Sequence, residues 1–156
     1  MTHHVRDGRP DDLPALRAVQ ERALAEPWTE LLTLAADGGG PTLLVATDGT
    51  GGVDSVGDAD TPVGYALAVT DEDDAVGYLV ELAVAPTHQG EGYGSALVER
   101  LVDRFAERRV ERLRVTVRAV DERAREFYRD RGFERRERLP DHYESGDGVL
   151  LTRDLS

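Results

Sequence analysis

Residues 82–98, LAVAPTHQGEGYGSALV, run from an apolar strand pattern through a glycine-rich turn straight into an amphipathic helical pattern. Gly90, Gly92 and Gly94 carry no Cβ that would hold a polyphosphate off the backbone, and the first-turn amides of the helix lie at its positive end. This combination makes an anion cradle, and a ligand bearing a pyrophosphate is the expectation.

The order of the glycines narrows that expectation. A dinucleotide fingerprint reads GxGxxG near the start of a βαβ unit, with an acidic residue about 20 positions on. Here the order is Gln89-x-x-Gly92-x-Gly94, after several earlier strands. A nucleotide-triphosphate loop ends in GK[ST], and all 19 basic residues of this chain are arginine.

The elements that must position the cradle follow from periodicity. Val5 begins a short strand; Pro10-Asp11-Asp12 opens a helix with Leu13, Leu16, Val19, Gln20 and Leu24 at helical spacing; Trp28 to Ala36 is a second helix, closed by Gly38-Gly39-Gly40-Pro41. Thr42 to Thr47 reads as a strand, Asp48 to Thr61 as a Gly/Asp-rich connection, and Val63–Val69 and Val76–Val84 as strands around an acidic turn at Asp71–Asp74. After the glycines, Gly94–Arg109 is a helix with Leu97, Val98, Leu101, Val102 and Phe105 in one stripe. A strand follows at Leu113, Val115 and Val117, then a helix over Asp121–Arg131, then strands at Phe133–Leu139 and Val149–Leu155. The order β-α-α-β-β-β-α-β-α-β-β implies an α+β fold without repeats.

At 156 residues the chain is expected to form one domain over 1–156, and it contains no cysteine, which excludes thiolate catalysis, disulfides and cysteine-based metal sites. His3, His4, His88 and His142 have no paired metal spacing, so no metal is expected. There is no long apolar run and the start is polar, so a cytoplasmic protein with no membrane partner is the expectation. Thirty-one acids against 19 arginines give a formal net charge of −12. Such a surface repels nucleic acid and suits high salt, which screens its self-repulsion, so a halophilic setting is expected, the plain alternative being solubility through net charge. The first 99 residues hold 18 of the acids and four of the arginines; the remainder holds 13 acids and 15 arginines.

A second motif extends the pattern. Asp121-Glu122-Arg123-Ala124-Arg125-Glu126-Phe127-Tyr128-Arg129-Asp130-Arg131-Gly132-Phe133 reads by itself as a helix capped by Asp121 and stopped at Gly132. Together, Val84-Ala85-Pro86, Q-x-x-G-x-G and this helix ending in Tyr128 and Gly132-Phe133 resemble the acetyl-CoA core of the GNAT family of N-acetyltransferases. The tail HYESGDGVLLTRDL is similar to that of the family's ribosomal-protein alanine N-acetyltransferase type.

The resemblance implies a GNAT fold: a mixed, mostly antiparallel sheet of about seven strands flanked by about four helices, with a splayed central strand pair. It implies acetyl-CoA as co-substrate, with the backbone of Leu82, Ala83 and Val84 on its arm, residues Gln89, Gly90, Glu91, Gly92, Tyr93, Gly94 and Ser95 around its pyrophosphate, and Asp121 where relatives carry an asparagine that contacts it. Glu91 stands where many relatives have Arg or Lys, and it opposes a phosphate unless it faces solvent or is screened. Tyr128 would act as general acid at the departing sulfur. Glu81 is the candidate base, its plain alternative being a solvent-facing strand residue. Thr116 replaces the glutamate that serves as base in the ribosomal-protein type. The implied reaction is direct attack of a primary amine, a peptide N-terminus or a small molecule, by a monomer or homodimer; a non-catalytic acetyl-CoA-binding regulator is the alternative.

Overall fold

A computed structural model describes residues 3–24, 27–48, 61–143 and 146–155. The connection read at 48–61 lies, apart from its end residues, outside the described residues. In chain order the elements are β1 (His4–Asp7), α1 (Leu13–Ala23), α2 (Thr29–Ala36), β2 (Thr42–Thr47), β3 (Pro62–Asp71), β4 (Val76–Val84), α3 (Tyr93–Glu107), β5 (Arg112–Arg118), α4 (Glu122–Arg129), β6 (Glu134–Tyr143) and β7 (Gly146–Asp154). The seven strands take the sheet order β1-β2-β3-β4-β5-β7-β6. The expected mixed sheet with four α-helices is therefore what these residues form.

The described residues fall into two compact units, Met1–Val69 with Glu81–Leu101, and Thr70–Val80 with Val102–Ser156. In the first, β1 pairs antiparallel with β2 and β2 with β3. The chain enters α1 through a 3-10 turn at Pro10–Asp12, where the Asp12 carboxylate accepts the Arg9 amide at 2.8 Å and both terminal nitrogens of Arg6 at 2.8 and 2.9 Å. Leu16 and Val19 of α1 and Leu32 of α2 are buried, each contributing about 1.5–3 kcal/mol against leaving it exposed. Gly64 is a close-approach glycine: a Cβ there would come within 2.8 Å of the Ala83 carbonyl, so β3 and the end of β4 meet backbone to backbone.

In the second unit a tight turn joins β3 to β4, with Asp71 Oδ1 accepting the amide of Asp73 at 3.1 Å and Ala75 in the left-handed region at φ 54°. The parallel ladder between β4 and β5 takes in Val76–Leu79 and Arg112–Val115. It stops there, although β4 runs to Val84 and β5 to Arg118. β5 pairs antiparallel with β7, and β7 with β6. Phe105 closes over Gly77, where a Cβ would come within 2.5 Å of its ring.

Boundaries differ modestly from the sequence reading. α3 spans Tyr93–Glu107 rather than 94–109, because Arg109 adopts φ 64° and Val110 returns its amide to the Phe105 carbonyl. α4 ends at Arg129 rather than 131, and Gly132 at φ 89° makes the stop. β6 and β7 extend past the apolar positions, since pairing along Glu134–Leu139 and Gly148–Thr152 resumes at Tyr143 and Gly146. Backbone pairing carried these polar ends that hydropathy had not marked.

Candidate active site

Left-handed glycines shape the turn after β4. Gly90 sits at φ 80° and Gly92 at φ 94°, a region that costs an L side chain about 1–2 kcal/mol. The Ala96 amide donates to the Gly92 carbonyl and closes the first helical turn of α3. By helix geometry the amides of Tyr93, Gly94 and Ser95 have no partner within the helix, and Gly92 has no side chain to cap them. Glu91 is exposed, as are its neighbours Gln89, Gly90 and Gly92. Gln89 Nε2 donates to the Val84 carbonyl at 3.0 Å. Its amide therefore ties the turn back to the strand end, a local role that the sequence reading, which aimed it at phosphate, did not include.

The strand before the turn sorts its own backbone. Ala85 donates to the Val63 carbonyl at 2.7 Å, and the Ala83 carbonyl lies against Gly64. Backbone groups alternate sides along a strand, so Ala83 turns its N–H and C=O toward β3, while Leu82 and Val84 turn theirs away from it. The parallel ladder ends before these residues, at Leu79. Leu82 and Val84 thus turn their backbone away from β3, beyond the last rung of the parallel ladder.

Glu81 is buried, at 7% exposure, which removes the solvent-facing alternative. Three donors converge on its carboxylate: Tyr65 Oη at 2.8 Å and Gln20 Nε2 at 2.9 Å on Oε1, and the Trp28 amide at 2.6 Å on Oε2. They come from β3, α1 and the entry to α2. A carboxylate offers about four acceptor positions, so one remains. Burial pushes the Tyr65 phenol far up, and the charge of Glu81 and the hydrogen bond to it push further the same way. The phenol stays a donor. Sequence reasoning placed Gln20 on an apolar stripe and Tyr65 in a strand without giving either a role; the signal was Gln20 itself, a polar residue at a core position between Val19 and Leu24. Beside this centre the Trp28 indole is half exposed.

Tyr128 and Asp121 lie in the second unit. Tyr128 is buried, with Phe127 and Phe133 edge-on at centroid distances of 5.0 and 5.3 Å. Burial raises its phenol well above the usual value; Tyr143 and Asp121 add to this, and Arg131 opposes it. Asp121 is a helix cap: its Oδ1 accepts the Ala124 amide at 3.0 Å. Thr116, on β5, accepts the Tyr143 hydroxyl on its carbonyl at 3.0 Å.

A mixed α+β sheet in which a strand feeds a left-handed glycine turn and a helix start defines an anion-cradling class of protein. The comparisons make it specific. Residues 13–133 match the Acetyltransferase (GNAT) family, and the chain belongs to it. It is 31% identical over 137 residues to the [Ribosomal protein bS18]-alanine N-acetyltransferase of Escherichia coli K12, covering 88% of this chain and 84% of that protein. It is similar to the crystal structure of the ribosomal-protein-S18-alanine N-acetyltransferase from Escherichia coli, with a TM-score of 0.82, 24% identity, and 99% and 95% of the two chains covered. It is also similar to Arabidopsis thaliana NAA60 in complex with acetyl-CoA, with a TM-score of 0.84, 20% identity, and 98% and 99% covered. The protein is an N-acetyltransferase with acetyl-CoA as co-substrate. The cradle fits that molecule at Gly90, where the backbone is left-handed and nothing lies within 4 Å of the missing Cβ. Among the described residues no helix is long and apolar enough to cross a membrane.

Proposed function

We propose that this protein transfers an acetyl group from acetyl-CoA to the α-amino group of a protein N-terminus, by direct attack within a ternary complex. The observation that carries the transferase reading is the turn with left-handed Gly90 and Gly92 opening onto α3, whose first-turn amides no side chain of Gly92 caps. The choice of acceptor is supported by the 31% identity to an enzyme named for alanine acetylation of a ribosomal protein. The chain has no cysteine to carry an acyl group, which favours direct attack over a thioester relay.

Acetyl-CoA supplies an activated thioester. In this reading residues Gln89 to Ser95 hold its pyrophosphate, the Leu82 backbone and the Val84 amide align its arm, and Ala83 contributes packing; the family resemblance also gives Asp121, the α4 cap, a part in holding it. A backbone amide of this strand polarises the thioester carbonyl. Glu81 takes the proton of the attacking amine, directly or through water, on its remaining acceptor position. The family resemblance gives Tyr128 its role at the departing sulfur. A phenol raised above 10 is a weaker acid than a thiol near 8.5, so full transfer to a thiolate runs uphill. Tyr128 therefore assists by donating a hydrogen bond as charge grows on sulfur. The acidic surface supports work at high ionic strength, where repulsion of the anionic co-substrate is screened.

The rival reading, an acetyl-CoA-binding regulator, draws on Thr116, a position without a carboxylate. Acetyl-CoA consumption, measured in 0.1 and 1 M potassium chloride against alanine-starting peptides, polyamines and amino acids, separates the two. Turnover on the peptides, reduced about 10²-fold or more in kcat by Tyr128→Phe with binding retained, supports the proposal. Binding without turnover on any amine supports the regulator, and turnover confined to small amines moves the acceptor.

A further inference from the structure

His3 has no part in the chemistry above, yet its ring is seated on the glycine turn. Its Nε2 lies 2.6 Å from the Glu91 carbonyl oxygen; a carbonyl has no hydrogen to give, so Nε2 is the donor. The ring also stands edge-on to Tyr93, with centroids 4.7 Å apart at 85°. Tyr93 meets His88 on a second contact, at 5.9 Å and 71°, and His88 Nδ1 is 3.0 Å from the Thr87 hydroxyl. Tyr93, the first residue of α3, is thus braced by two imidazoles.

The consequence lies in the peptide plane. No cis peptide occurs among the described residues, and in a trans peptide the C=O and N–H point in opposite directions. With the Glu91 carbonyl held toward His3, the Gly92 N–H points away from the ring. A Cβ on Gly92 would come within 2.9 Å of His3 Cε1. The absent side chain therefore makes room for the imidazole as well as permitting the left-handed backbone.

We propose that His3 is a positioning residue for the anion cradle: by gripping the Glu91 carbonyl it fixes the Glu91–Gly92 peptide plane so that the Gly92 amide is presented to the pyrophosphate. The inference rests on the acetyltransferase reading of the turn. A turn with two left-handed glycines has wide conformational freedom when nothing holds it, and ordering it before the ligand arrives removes part of the cost of binding.

The test compares two donors, acetyl-CoA and S-acetylpantetheine, which lacks the pyrophosphate. His3→Ala should raise the Kd for acetyl-CoA about fivefold, the worth of one hydrogen bond, with kcat at saturation retained and kcat/KM for S-acetylpantetheine unchanged. His3→Gln, whose side-chain amide can donate to the same carbonyl, should recover part of the affinity. Unchanged acetyl-CoA affinity in His3→Ala overturns the proposal, as does an equal loss on both donors. Binding of acetyl-CoA by the unaltered protein keeps the acetyltransferase reading standing in either case; its failure to bind overturns both.

Discussion

The starts of α3 and α4 use the same backbone chemistry to opposite ends. Each helix follows a strand, and each presents unpaired first-turn amides at a positive pole. At α4 the chain answers with its own anion, Asp121, bonded to the Ala124 amide. At the entry to α1, Asp12 instead reaches back to the Arg9 amide, three positions earlier, and bonds no amide of α1. At α3 the preceding residue is Gly92, left-handed and without a side chain. The difference teaches that a helix start is left open to a ligand when the chain withholds its own cap, and that an acidic residue bonded to a first-turn amide argues for stability.

The contrast breaks most readily at the glycines. Gly92→Ala should weaken acetyl-CoA binding more than tenfold, since it adds left-handed strain of about 1–2 kcal/mol to a collision with His3. Gly90→Ala meets nothing within 4 Å and should show a smaller loss, from strain alone. Titration calorimetry on the two variants decides it; equal losses would remove His3 from the account.

A smaller effect is expected at α4. Asp121→Ala should lower stability by about 1 kcal/mol, or roughly 2–4 °C in Tm for a chain of this size, while acetyl-CoA affinity stays within twofold. A loss of affinity without a shift in Tm would restore Asp121 to the ligand's side of the site.

The gentlest test uses acid. Burial pushes the Asp12 carboxyl up, but the Arg6 side chain and the Arg9 amide outweigh it, and the net shift is downward. A carboxyl with a depressed folded-state pKa stabilises the fold fully above its unfolded value, near 3.9, and loses that contribution as pH falls through the lower folded value. Urea unfolding of Asp12→Asn and the unaltered protein should therefore converge only below about pH 4. Convergence at neutral pH would show that the Asp12 charge contributes nothing to the entry of α1.

Much of this was legible before any coordinates. Val76–Val84 and Thr42–Thr47 match the observed strands end to end, because alternation and strong turn signals bounded them. The glycine turn and the start of α3 were legible because their residues are consecutive. The surroundings of Glu81 were not. Its donors lie 61, 53 and 16 positions away, and alternation along β4 says which face a residue takes without saying what meets it there.

Local order fixed the turn, the caps and the strand pattern, since glycine stereochemistry, first-turn amides and side-chain periodicity act between neighbours. Long-range packing alone decided that a strand carboxylate would be buried under three donors, and that His3 would reach a carbonyl 88 positions away. Those contacts form only after the sheet has brought distant segments together, and no spacing within a single element encodes them.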